Sequence, residues 1–243
     1  MPTTRRSVSH TAVSGCKSAT ATRALRDGLF IVFEGLDGAG KTTQIDLLAT
    51  ALRQEGYSVI CLKEPTDGPW GKKIRQSTRQ GQRQVDPADE LIWFLEDRRQ
   101  DVEQNIRPAL TRGWIVILDR YYFSTMAYQG ALGYDPDEIR RRNEAFAPPP
   151  HLLFLLEIDP SQGLQRVQQA RQLDGFEQLD YLQQVETIFA AMDFPYLRRI
   201  PASDDIETVQ AHIWQEVRDT LTTWPHAIGA EARTDLSEKD VVQ

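Results

Sequence analysis

The chain has 243 residues, 40% of them hydrophobic and 26% charged, with a formal net charge of −7. That length can bury a sizeable core without disulfides or metals, and the composition is that of a soluble globular protein. The acidic balance argues against a surface that coats nucleic acid, which needs a basic face, and no apolar run approaches the ~18 residues that span a bilayer.

Residues 1–27 carry five basic side chains, Arg5, Arg6, Lys17, Arg23 and Arg26, against one acid, Asp27. They are rich in Ser, Thr and Ala and have no apolar core region, so they do not form a secretory signal. Their composition overlaps with that of organelle transit peptides, but little amphipathic periodicity supports this, and a disordered extension without core residues is expected. Cys16 lies in this extension and Cys61 in a predicted buried strand, so no disulfide between them is expected. There is no CxxC or Cys/His cluster to hold zinc. This cysteine usage suits a reducing, cytoplasmic setting.

Order is expected from Gly28. Residues 29–33 form a continuous apolar run, as in a strand buried on both faces of a parallel sheet. A glycine-rich turn follows, and then a helix over residues 41–54 with Ile45, Leu47, Leu48, Ala51 and Leu52 on its apolar side. Residues 58–62 read as the second strand, closed by Glu64 and Pro65, and residues 66–82 as a looser stretch. Asp86 caps a helical region from Pro87 to about residue 111, which Pro108 is expected to break. Residues 114–118 form the third strand, ending in Asp119. Asp135 and Pro136 start another helix, and three prolines at 148–150 precede a fourth strand from residue 151 to about 158. Helices are predicted over residues 160–171 and 177–197, a short fifth strand over 198–202 and a final amphipathic helix over 204–224. Alternating strands and helices imply a parallel α/β sheet. One domain over residues 28–225 suffices, with a disordered polar tail over 226–243.

The turn GLDGAGKT, residues 35–42, fits the spacing G-x-x-x-x-G-K-[ST]. Its backbone N–H groups can wrap a polyphosphate only if residues are free to take positive φ. Gly35, Leu36, Asp37, Gly38, Ala39 and Gly40 would form the cradle, with Thr43 behind it. Lys41 supplies a point charge for the β- and γ-phosphates, Thr42 a hydroxyl for Mg²⁺, and the following helix aims its N-terminus at the anion. The motif follows a buried strand and opens a helix, the context that separates it from a chance match. Asp119, closing the third strand, holds the position that a Walker B carboxylate would occupy beside the Mg²⁺.

Several segments together resemble the thymidylate (dTMP) kinase family. They are residues 33–43, Lys63 to Pro65, Phe94 with Asp97 and Arg98, Asp119 to Tyr121, Ser124 with Thr125, Ala127 to Gln129, and a LID-like segment at 163–177; the likeness spans about residues 29–224. It implies a three-layer α/β/α P-loop kinase fold with about five parallel strands and a short LID. It also implies ATP and Mg²⁺ as cosubstrate and cofactor, dTMP as acceptor, and allows a homodimer. In this likeness Arg120 and Arg75 hold the acceptor phosphate, Phe94 stacks on the base and Arg98 meets the base edge. Ser124, Thr125 and Gln129 line the base and sugar pocket, Asp37 lies near the sugar 3′-hydroxyl, and Glu34 supports the acceptor side or the metal shell. Family members either carry an arginine within the P-loop or supply arginines from the LID. Gly38 places this chain with the second group, so Arg166 and Arg171 are the expected LID arginines, Arg171 being favoured for the γ-phosphate. Gly175 stands where the family often has arginine, and Lys63 where it often has arginine before Glu-Pro. Two other functions are open to the same residues: a P-loop kinase of another nucleotide or deoxynucleoside, and a non-catalytic nucleotide-binding regulator. The second has no need of acceptor arginines.

Overall fold

A computed structural model describes residues 23, 25–79, 85–168 and 176–225. Five parallel strands form one sheet in the order β2-β3-β1-β4-β5. β1 (Leu29–Glu34) lies at its centre between β3 (Ile115–Asp119) and β4 (Leu152–Glu157). β2 (Val59–Lys63) and β5 (Leu197–Pro201) are its edges. Every residue of β1 and β3 is buried, which is why both read as uninterrupted apolar runs. The β1–β3 register pairs Phe33 with Asp119, and the β2–β3 register pairs Lys63 with Asp119. Three strand ends therefore bring Glu34, Lys63 and Asp119 to the carboxyl edge of the sheet, where ligands bind in open α/β folds.

The helices in chain order are α1 (Lys41–Gln54), α2 (Pro69–Arg79), α3 (Pro87–Asp101), α4 (Arg107–Thr111), α5 (Tyr122–Gly130), α6 (Pro136–Glu144), α7 (Pro160–Gln168), α8 (Phe176–Ala191) and α9 (Ile206–Thr223). Asp86 caps α3 as expected, accepting from Ala88 N. Among the described residues no helix is long and apolar enough to cross a membrane.

Several expectations are corrected. The segment after Pro65 is not loose: α2 occupies most of it, amphipathic through Trp70 and Ile74 one turn apart. Gly71 lets this helix lie against the preceding loop, since a Cβ there would stand 1.9 Å from Thr66 O. Pro108 does not break the helical region. A π-helical turn, Val102–Ile106, joins α3 to α4, and its wider spacing accommodates a proline that has no N–H to donate. α5 fills the span after Asp119 to which no helix was assigned. α8 stops at Ala191, short of the predicted residue 197, because β5 begins there. In α1 the buried apolar set is Ile45, Leu48, Ala49 and Leu52; Leu47 faces outward. Cys61 is exposed rather than buried, because β2 is an edge strand with one open side.

The extension also contributes to the core. Residues 1–22 and 226–243, including Cys16, lie outside the described residues. Leu25, however, is buried within the main hydrophobic cluster. Arg23 N donates to Gly56 O, and Arg26 N to Pro225 O. The backbone of Leu25 closes on Gly113, whose φ of 74° admits no side chain easily. Nearby, Phe30 N donates to His151 Nδ1 at 2.8 Å, and Trp224 Nε1 donates to Asp27 O at 2.7 Å. His151 is thus a structural acceptor at the head of β4, not a site residue. Leu25→Ala is expected to lower unfolding free energy by about 2–5 kcal/mol, as removal of a buried leucine does, read from urea titration of the two proteins.

Candidate active site

The cradle forms as its glycines require. Gly35, Gly38 and Gly40 take φ of 133°, 83° and 88°, values that disfavour any side chain. Lys41 is buried, and its Nζ donates to Gly35 O and Leu36 O at 2.9 Å each. Burial, with Arg120 close by, pulls the lysine down to about 7, against Asp37, Asp119 and Glu34, which raise it. Thr42 and Thr43 are exposed at the start of α1. A cleft of about 280 Å³ is lined by Asp37, Gly38, Gly40, Lys41, Thr42, Thr43, Lys63, Asp119 and Arg120. Leu36 and Ala39 pack inward beneath it.

Gly38 carries the geometric reason for the missing P-loop arginine. A Cβ there would stand 2.5 Å from Gly163 O at the start of α7. The loop and the LID helix meet backbone to backbone, and no side chain fits between them. Arg166, also on α7, reaches the same place from outside: its Nη1 donates to Gly38 O at 3.2 Å and to Ala202 O at 3.5 Å. Arg171 and Gly175 lie outside the described residues.

Arg120 follows β3 with φ of 73°, a left-handed conformation uncommon for a side-chain-bearing residue and typical of strained functional positions. Its N–H donates to Phe33 O. The guanidinium donates from Nη1 to Ser124 Oγ at 2.8 Å and from Nη2 to Asp37 Oδ1. Arg120 holds the Asp37 carboxyl below the usual carboxylate range. Glu34, fully buried at the end of β1, accepts from Tyr121 N, Ser124 N and Ser124 Oγ. Burial pushes this carboxyl up, with Arg120 and those donors opposing.

α3 faces α5 across a buried polar interface. Arg98 is only 1% exposed. It donates from Nε to Glu64 Oε2 at 2.8 Å, from Nη1 to Asn143 Oδ1 at 2.6 Å and from Nη2 to Thr125 Oγ1 at 3.3 Å. Nη2 also lies 2.6 Å from Glu64 Oε2. Half-buried Phe94 sits one turn before Arg98, and Gln129 one turn after Thr125. Arg75 takes part differently: its Nη1 donates to Pro65 O at 2.7 Å and Thr66 O at 2.6 Å, next to the cis Glu64–Pro65 bond, while Asp97 accepts from Thr66 N and Oγ1.

Sequence reasoning missed Glu64, Asn143 and Glu90. Asn143 lies 45 residues from Arg98, with no local signal. Glu90 could have been found by extending the Phe94–Arg98 face one turn back.

When a polyphosphate meets Lys41, its charge favours the ammonium and raises the lysine from its depressed value of about 7. Nucleotide binding at pH 7.5–8.5 is therefore expected to take up to about one proton, and affinity to fall as pH rises through this window. Calorimetry in two buffers of different ionisation enthalpy reads the uptake, which Lys41→Met should remove.

The family model described as thymidylate kinase matches residues 33–213. A thymidylate kinase of Desulfotalea psychrophila is 47% identical over 196 residues, covering 80% of this chain and 96% of the relative. One from Xanthomonas euvesicatoria is 44% identical over 214 residues, covering 86% and 93%. A probable thymidylate kinase of Archaeoglobus fulgidus is 42% identical over 196 residues, covering 81% and 96%. With a glycine cradle, a strained arginine beside it and these relatives over nearly all of the described fold, the chain belongs to the thymidylate kinase family.

Proposed function

We propose that this chain transfers the γ-phosphoryl group of ATP to dTMP, giving ADP and dTDP. The observation that carries the proposal is Arg120, whose guanidinium joins Asp37 of the nucleotide cradle to Ser124 of α5. A cation so placed stands between donor and acceptor phosphates, and a nucleotide-binding switch needs no such group. The dTMP phosphate would replace Asp37 and Ser124 as its partners or join them. A phosphate oxygen of dTMP then attacks the γ-phosphorus in line while the bond to the β–γ bridging oxygen breaks. Catalysis is positioning and charge stabilisation, with no covalent enzyme intermediate. Lys41 follows the β- and γ-phosphates. Arg166, anchored on Gly38 O, and Arg171 are the LID cations for the transferring group. Arg75 and Glu34 support the acceptor side, and Asp37 the sugar.

The residues present fit Mg²⁺. Thr42 Oγ1 donates to Asp119 Oδ2 at 3.2 Å, and Asp119 Oδ1 is a buried acceptor without a partner. One carboxylate and one hydroxyl from the protein suit an ion carried in largely by phosphates. Bound there, it would neutralise charge developing on the β- and γ-oxygens. Lys63 Nζ, 3.5 Å from Asp119 Oδ2, holds that carboxylate in place. The proposal includes a cytoplasmic enzyme, for which the exposed Cys61 thiol is suited, and a homodimer, tested by its mass in solution.

For the base, Phe94 offers a stacking face, Arg98 a donor, and Thr125 and Gln129 the pocket wall. An ADP-release assay across nucleoside monophosphates and deoxynucleosides tests this. dTMP should exceed dUMP by only about 10- to 200-fold in kcat/KM, the worth of one methyl group, and purine monophosphates should fail. Arg98→Ala should erode discrimination between bases, whereas Arg120→Ala should weaken all monophosphates alike. Equal turnover of dAMP or dGMP would remove the base pocket from the proposal.

A further inference from the structure

Two hydrogen-bonded rungs bracket Phe94. At one end Arg98 donates to Thr125; at the other Gln129 Nε2 donates to Glu90 Oε2 at 2.7 Å. Glu90, Phe94 and Arg98 recur at one-turn intervals on α3, as Thr125 and Gln129 do on α5, so each set shares one helix face. Gln129 is 1% exposed and Glu90 2%. Gln129 Oε1 is a buried acceptor with no hydrogen-bond partner. Leaving such a group unpaired costs about 1–3 kcal/mol, and a ligand that donates to it removes the cost.

The direction of that amide is dictated by its neighbour. An ionised carboxylate has no hydrogen to give and can only accept. Glu90 also accepts from Ser77 Oγ, at Oε1 and 3.2 Å. Gln129 must therefore turn its NH₂ toward Glu90 and its carbonyl away. At the far end Arg98 is donor-only, and Glu64, Asn143 and Thr125 fix its orientation. A base stacked on Phe94 would thus meet donors from Arg98 and, from Gln129, an acceptor.

We propose that Glu90 is a positioning residue that sets the class of base, by locking Gln129 as an acceptor. This rests on the acceptor site described above. A base with a ring N–H beside a carbonyl, as in thymine and uracil, matches that pairing of acceptor and donor. Cytosine carries a lone pair at that nitrogen beside an amino group and meets an acceptor with an acceptor. Glu90 touches no substrate in this arrangement; it acts through Gln129.

The test compares kcat/KM for dTMP and dCMP in the full chain, in Glu90→Gln and in Glu90→Gln/Gln129→Glu. In the single variant an amide at 90 can donate or accept, so Gln129 can turn either way. The dTMP:dCMP ratio should then fall by about tenfold or more, the worth of one buried hydrogen bond. In the double variant residue 129 is a carboxylate that only accepts, and the amide at 90 donates to it. The ratio should return to within about threefold of the original protein. Should Glu90→Gln fail to fold, as judged by its melting curve, Glu90→Met frees the Gln129 amide in the same way and must show the same fall. A purely structural role would slow both nucleotides alike, and an unchanged ratio in the single variant would overturn the proposal. So would a ratio that stays low in the double variant. If the unaltered chain phosphorylates no dTMP at all, the acceptor assignment fails instead, a separate and distinguishable result.

Discussion

The buried carboxylate of Glu34 is the constraint on which the site depends. It ends the central strand and accepts from the backbone N–H groups of Tyr121 and Ser124 and from the Ser124 hydroxyl. Tyr121 precedes α5 and has no side-chain cap of its own, so β1 supplies the cap from another part of the chain. A negative group at a helix N-terminus is favoured by the unpaired N–H donors there. The result is that α5, with Ser124, Thr125 and Gln129, is fixed relative to the strand from which the nucleotide cradle springs. Arg120 then closes the connection from the other side, at the cost of a left-handed backbone.

The arginines of the site divide by how much freedom they keep. Arg98 has a carboxylate, an amide oxygen and a hydroxyl as partners, and the Tyr121 ring 5.1 Å away. It is set before any ligand arrives. Glu64 holds it at the cost of a buried acceptor, Oε1, left without a partner. Arg166 is exposed, and its partners among the described residues are backbone carbonyls. Such an arrangement suits the proposed roles, Arg98 at the base edge and Arg166 near the group in transfer. Preorganised donors lose little on binding, whereas a long exposed side chain must be ordered when it engages.

Much of the fold was legible because the central strands leave no room for ambiguity. Residues 29–33 and 115–118, buried on both faces, are all apolar, and the glycine cradle sits where β1 must turn into α1. The nucleotide half of the site was readable for the same reason, since it is local in sequence. α2 escaped notice because so few of its residues are apolar and it contains Gly71, needed for close approach rather than for a turn. α5 was hidden by the density of site residues within it. The partners that orient Arg98 could not be read at all. Glu64 and Asn143 lie 34 and 45 residues away from it, and only the sheet order brings them together. Pro108 misled because a proline in a helix has a second remedy besides termination, the π-helical turn ahead of it.

The contact between Gly38 and Gly163 has a mechanical consequence. Two backbones that approach with no side chain between them have no soft material to absorb displacement. Interiors packed in this way pass strain on rather than dissipate it. A shift of the cradle toward an incoming polyphosphate must therefore push on the first turn of α7, and a swing of α7 must pull on the cradle. The glycine pair would act as a hard bearing between the two, passing a displacement of the nucleotide cleft on to the helix with no side chain to absorb it.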